Sequence, residues 1–133
     1  MNNKRIHALA IILGLSVACG GNGDSSPTSP STPISTTPVD TTTITISSSG
    51  AVSPNNIRVT VGSRVTMINN DSRVHDMNSD PHPAHTDCPA INWGNIQPGQ
   101  SVQSAALTTV RTCGYHDHNL PTSTSLQGII QIQ

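Results

Sequence analysis

Apolar and polar residues alternate with period two along several stretches of this chain. Ile44 and Ile46 alternate with Thr43 and Thr45. Ile57, Val59 and Val61 alternate with Arg58 and Thr60, and Val65 and Met67 with Arg64 and Thr66. The closing segment, Gly128 to Gln133, is rich in Ile. Period two places alternate side chains on opposite faces of a strand, so each stretch predicts a half-buried strand. Turn-forming clusters separate them: Ser53-Pro54-Asn55-Asn56, Val61-Gly62-Ser63, Asn69-Asn70-Asp71-Ser72 and Gln97-Pro98-Gly99-Gln100. Short strands with regular turns predict an all-β sandwich or barrel. No segment carries a convincing apolar helical period, and no internal repeat is evident.

The N-terminal third has a different texture. Lys4 and Arg5 precede an apolar run, Ala8 to Ala18, broken only by Gly14 and Ser16. The run is shorter than the about 20 residues that span a bilayer and fits the apolar region of a secretory signal. Its end, Leu15-Ser16-Val17-Ala18-Cys19-Gly20, resembles a bacterial lipoprotein signal, with Ser16 where such signals usually carry Leu. The resemblance implies that residues 1–19 contain the signal and that Cys19 is acylated as the mature N-terminus. Residues 20–42 are nearly all Gly, Ser, Thr and Pro. With almost no apolar area to offset ordering entropy, they are expected to form an extended, disordered tether. The folded domain is expected over 43–133.

Composition narrows the function. Of 133 residues, 10% are charged and 2% aromatic, with no Phe and a net charge of -1. That charge excludes a nucleic-acid or anionic-lipid binder that works by bulk positive charge. Six histidines are many for this length, and five lie between His75 and His118.

The stretch VSPNNIRVTVGSRVTMINNDSRVH, Val52 to His75, resembles the cupredoxins, the small blue-copper proteins. Pro54, Val61, Gly62, Val65, Asn69, Asp71 and His75 occupy the positions of that family's N-terminal pattern. Gln97-Pro98-Gly99-Gln100-Ser101 resembles the turn before a later strand, and Cys113 to Ile132 resembles the ligand loop and last strand. The resemblance covers essentially 43–133, more specifically in its first half. It implies a Greek-key β-sandwich holding one copper ion between loops at one end.

The family's ligands are one histidine from the first half, then a cysteine, a second histidine and often a methionine from the last loop. His75 falls at the first position, and Cys113-Gly114-Tyr115-His116 has the C-x2-H spacing. Leu126-Gln127-Gly128 stands where the family often shows Met-Lys-Gly, so the axial methionine is absent there; Met77 is the nearest soft alternative. A second register sets Tyr115-His116 at the aromatic position before the ligand cysteine, with Asp117 in the cysteine's place. The site would then be rich in histidine: His75, His116 and His118, with Asp117. Such a set suits Cu(II) and is not blue. The candidate metal ligands are therefore His75, Cys113, His116 and His118.

Cysteine pairing bears on the choice. With Cys19 acylated, Cys88 and Cys113 remain, and outside the cytoplasm a pair tends to oxidise. A Cys88–Cys113 disulfide would remove the thiolate from copper and contribute about 2–4 kcal/mol to a small core. The insert Ser79 to Cys88 carries His82 and His85, which could line the same copper mouth, form a second, weaker copper site or be solvated. A mixed His and Cys zinc site with Cys88, Cys113 and His116 needs reduced cysteines and fits the compartment poorly. Asn69, Asn70 and Asp71 read as turn residues or partners of the ligand loop, Asn119-Leu120-Pro121 as an exposed patch, and Trp93 as core.

Two functions follow. One is a lipid-anchored carrier passing single electrons to a redox partner protein. The other is a non-blue, histidine-rich site that stores, buffers or delivers copper received from a copper-donor protein. A metal-free interaction module is a third reading. Catalysis is not expected: no nucleophile–base arrangement or paired carboxylates appear. The protein is expected to be exported, facing the periplasm or cell surface, and to meet the membrane only through lipid on Cys19.

Overall fold

The computed structural model describes residues 33–133. The expected signal and Cys19 lie outside the described residues. The described residues form ten strands: β1 (Val39–Asp40), β2 (Thr43–Ile46), β3 (Val52–Ser53), β4 (Asn56–Val59), β5 (Thr66–Asn69), β6 (His75–Ser79), β7 (Gly94–Ile96), β8 (Ser101–Gln103), β9 (Arg111–Asp117) and β10 (Gly128–Ile132). They form a six-stranded sheet, β1-β4-β10-β9-β6-β7, and a four-stranded sheet, β3-β2-β5-β8. Two short 3-10 turns, Pro89–Ile91 and Thr124–Leu126, complete the secondary structure.

The period-two stretches are these strands. Ile44 and Ile46 of β2, Met67 of β5, Ile57 and Val59 of β4, and Ile130 and Ile132 of β10 all point into the core between the sheets. Val61 is exposed, because β4 ends at Val59 and the chain turns at Gly62. Gly62 has φ of +90°, a conformation that an L side chain disfavours. Trp93 is core, as expected. Its ring meets Tyr115 edge-on, with centroids 5.8 Å apart, and its indole N–H donates to the Val65 carbonyl.

Part of the expected tether is laid on the domain. The Ser35 N–H donates to Asn55 Oδ1, the Asn55 side chain donates to the Pro33 carbonyl, and Asn56 donates to the Ser35 carbonyl. Val39–Asp40 then pair in parallel with Ile57–Arg58. The sheet edge offers unpaired backbone groups, and this segment satisfies some of them.

The segment between β6 and β7 is long and leaves the sheet. Its far end is fixed by a disulfide from Cys88 to Cys113 of β9, with Cα atoms 5.9 Å apart. Arg111 of β9 also pairs with Asp87. The return is closed further by backbone hydrogen bonds from Asp80 N to Gly114 O and from Asp87 N to Asp80 O. The insert therefore folds back on the larger sheet rather than standing out in solvent.

Candidate metal centre

The candidate ligands are distributed by the two faces of β9. Cys113, Tyr115 and Asp117 point into the sandwich; Gly114 and His116 point out of it. The C-x2-H spacing brings both side chains to one metal only where the chain leaves the strand after the cysteine. Here β9 continues to Asp117, so Cys113 and His116 lie on opposite faces.

On the inner face, His75 is almost completely buried between two carboxylates. Its Nδ1 lies 2.6 Å from Asp117 Oδ2 and its Nε2 lies 3.0 Å from Asp71 Oδ2. Asp71 is also paired with Arg73 at 2.9 Å. Burial acts to raise the Asp71 carboxyl. Hydrogen bonds from His75, Arg73 and the Ser72 N–H, with the Arg73 charge, outweigh it and hold the group at about 2. The two carboxylates sit on opposite ring nitrogens, so the three residues cannot converge on one ion. Asn69 supports this end: its amide donates to the Arg73 and Ile96 carbonyls, and its Oδ1 accepts the Asp71 N–H.

Two of the four candidate ligands are engaged elsewhere. His75 has both ring nitrogens taken by carboxylates, and Cys113 has its sulfur in the disulfide. Leu126, at the axial position, and Met77 are buried apolar residues of the core. This donor set does not fit a blue-copper centre, which needs a thiolate and two free imidazoles.

A different set converges on the outer face. His82 and His85 of the insert meet His118, just past β9, with ligand atoms of the three within 4.8 Å of one another. The ring centroids of His82 and His118 are 4.8 Å apart, those of His85 and His118 4.9 Å, and those of His82 and His85 5.9 Å. His116 adjoins the group, 5.1 Å from His85 and 5.5 Å from His82.

Each position has a local cause. The His118 N–H donates to the Asp76 carbonyl, which fixes the chain as it leaves β9. His85 is the only non-glycine residue with positive φ among the described residues, at 52°. That sparsely populated conformation is held by the His85 N–H donating to Pro81 O and by Asn92 donating to His85 O. His85 Nδ1 lies 2.7 Å from the Ser79 carbonyl, which can only accept. In the neutral ring the proton is therefore on Nδ1, and Nε2 keeps a lone pair. That Nε2 is 2.7 Å from His118 Nδ1. Desolvation, and then the neighbouring rings of His118, His116 and His85, push His82 below the ordinary histidine value. Both effects favour the neutral imidazole that binds metals.

Of the four candidate ligands, His118 joins the outer cluster and His116 adjoins it, while His75 and Cys113 lie on the inner face. His82 and His85, secondary in the sequence reading, become central. Their signal was present in the His-x2-His spacing of an insert and in the His-x-His spacing at the end of a strand.

No family model matches the chain, and no curated protein matches it. Solved structures do. A purple cupredoxin from Nitrosopumilus maritimus is 19% identical, with a TM-score of 0.57 over 70% of this chain and 100% of that one. An oxidised plastocyanin from Dryopteris crassirhizoma is 17% identical, with a TM-score of 0.53 over 68% of this chain and 99% of that one. A mutant amicyanin in its Cu(I) form is 15% identical, with a TM-score of 0.52 over 77% and 90%.

Proposed function

We propose that this domain, which has the cupredoxin fold, binds one copper ion through imidazoles at His82, His85 and His118, and that it holds copper for storage or delivery outside the cytoplasm. The observation that carries the reading is the convergence of these histidines on the outer sheet face while the cysteine of the family motif is consumed in a disulfide. Neutral imidazoles suit Cu(II), and copper stands highest among the divalent first-row metals for such donors. Without a thiolate the bound ion is pale. The expected partner is a copper-donor protein.

Export, with lipid on Cys19 as the anchor, belongs to the same proposal. The sequence of residues 1–19 supports it, as does a disulfide that persists only under oxidising conditions. Incorporation of labelled lipid into the chain, lost in Cys19→Ala, tests it.

Cu(II) titration followed by absorption and paramagnetic resonance tests the site. The expected result is one copper per chain, a weak ligand-field band, no intense thiolate band and no free thiol. His82→Ala and His118→Ala should each lower the affinity at least tenfold. An intense visible charge-transfer band, or copper binding indifferent to both substitutions, overturns the reading. Likeness of fold to proteins solved in oxidised and Cu(I) forms favours a second reading, one-electron exchange with a redox partner protein. A reversible potential of the copper-loaded chain supports it; failure to cycle eliminates it.

A further inference from the structure

We infer that His116 is a fourth ligand of this centre, and that Asp80, seated on Gly114, is the residue that positions it. The inference rests on the copper reading above and deepens it.

His116 points to the outer face of β9, where a side chain would ordinarily meet solvent, yet it is only 3% exposed. Its Nδ1 lies 2.6 Å from Asp80 Oδ1. An ionised carboxylate only accepts, so Nδ1 carries a proton, and in the neutral ring Nε2 carries a lone pair. That Nε2 is buried and has no hydrogen-bond partner. A buried acceptor without a partner costs free energy and calls for an explanation. A metal ion is the partner that the chemistry of the site indicates, because the adjoining rings, His82 and His85, carry the same kind of donor. A carboxylate on the far nitrogen of a ligand imidazole is the usual means of fixing its tautomer and raising its basicity.

Gly114 makes the arrangement possible. It precedes His116 by two residues on the same face, and a β-carbon there would sit on the Asp80 carboxylate, well inside van der Waals contact. The missing side chain leaves a recess in which Asp80 lies flat against the strand, while the Asp80 N–H donates to the Gly114 carbonyl. The adjoining Pro81, His82 and Pro83 start the insert from this anchor. Asp80 thus serves two ends of the site, orienting His116 and launching the loop that brings His82 over it. Histidine 85 is oriented in the same manner by the Ser79 carbonyl. With His116 beside the converging three, the donors are four imidazoles, two with their far nitrogens held, a donor type that suits Cu(II).

The test uses the full chain, Cu(II) and a competing chelator, with nitrogen couplings in the paramagnetic resonance spectrum counting the bound imidazoles. The unsubstituted chain should show four and His116→Ala three. Asp80→Ala should weaken Cu(II) binding by roughly 10–100-fold, the usual effect of removing such a partner. Asp80→Asn, which keeps an acceptor oxygen, should recover most of that loss. Gly114→Ala should reproduce Asp80→Ala, and Asp80→Ala should lose most of its effect once His116 is Ala. Circular dichroism of the metal-free variants separates these effects from loss of fold, and Asp80→Asn against Asp80→Ala carries the test if Gly114→Ala does not fold. Bound copper with the same nitrogen count and affinity in His116→Ala overturns the fourth ligand alone. An unsubstituted chain that binds no copper overturns the reading beneath it as well.

Discussion

At the scale of single residues, the inner and outer faces of β9 carry opposite chemistries one position apart. Asp117 and His75 form a close hydrogen-bonding contact in the core, and His116 and His118 lie outside. His75→Ala would leave the Asp71 and Asp117 carboxylates buried without their shared partner. Breaking a buried pair in this way costs about 3–5 kcal/mol. Chemical denaturation should show that loss, while copper stoichiometry under native conditions stays at one; loss of copper from a folded variant would show that the two sites are one. Asp71 also sets a pH dependence. Its folded value, about 2, lies below the ordinary aspartate value near 3.9. Its contribution is therefore complete above about pH 4 and is lost as pH falls through 2. Asp71→Asn should lower the melting temperature at pH 5 and flatten its decline between pH 4 and pH 2; a parallel decline in both proteins would contradict this assignment.

At the scale of elements, the insert between β6 and β7 carries half of the proposed copper site. It supplies His82 and His85, and the Cys88–Cys113 bond holds its end to the strand that carries His116 and leads into His118. Closing a loop with a sequence separation of 25 stabilises the fold by about 3.5 kcal/mol in the chain-entropy treatment. Replacing both cysteines with Ala should cost an amount of that order in equilibrium unfolding. It should also weaken Cu(II) binding, since two ligands then ride on a freed loop. Unchanged affinity in a folded double variant would show that the disulfide supports the core alone.

At the scale of the whole molecule, a small domain without Phe relies on Ile, Val, one Trp–Tyr contact and a disulfide. A metal that binds only the folded chain adds to that stability. At a free Cu(II) concentration 100 times the dissociation constant, the gain is about 2.7 kcal/mol. For a domain of this size that corresponds to a rise in melting temperature of roughly 11–22 °C. The rise should vanish in the His82→Ala, His118→Ala double variant, as calorimetry with and without Cu(II) would show. An equal rise in both proteins would place the copper elsewhere.

The strands, their buried faces and the sandwich were legible in the sequence because a period-two pattern is local: Ile44, Ile46, Ile57 and Val59 declare their faces from immediate neighbours. The turns at Gly62 and Gly99 were legible for the same reason. Histidine enrichment announced metal chemistry, and the cysteine count left Cys88 and Cys113 as a natural pair. The tertiary structure alone decided which histidines meet. That outcome depends on β9 running straight through the expected ligand loop and on the β6–β9 register that sets Asn78 opposite His116. It depends also on an insert folding back through contacts between Asp80 and His116, 36 residues apart. Such contacts are set by packing between distant segments, and no spacing along the chain encodes them. Local pattern thus set the kind of donor and the frame, while the two faces of one strand separated the buried His75–Asp117 contact from the outer histidine cluster.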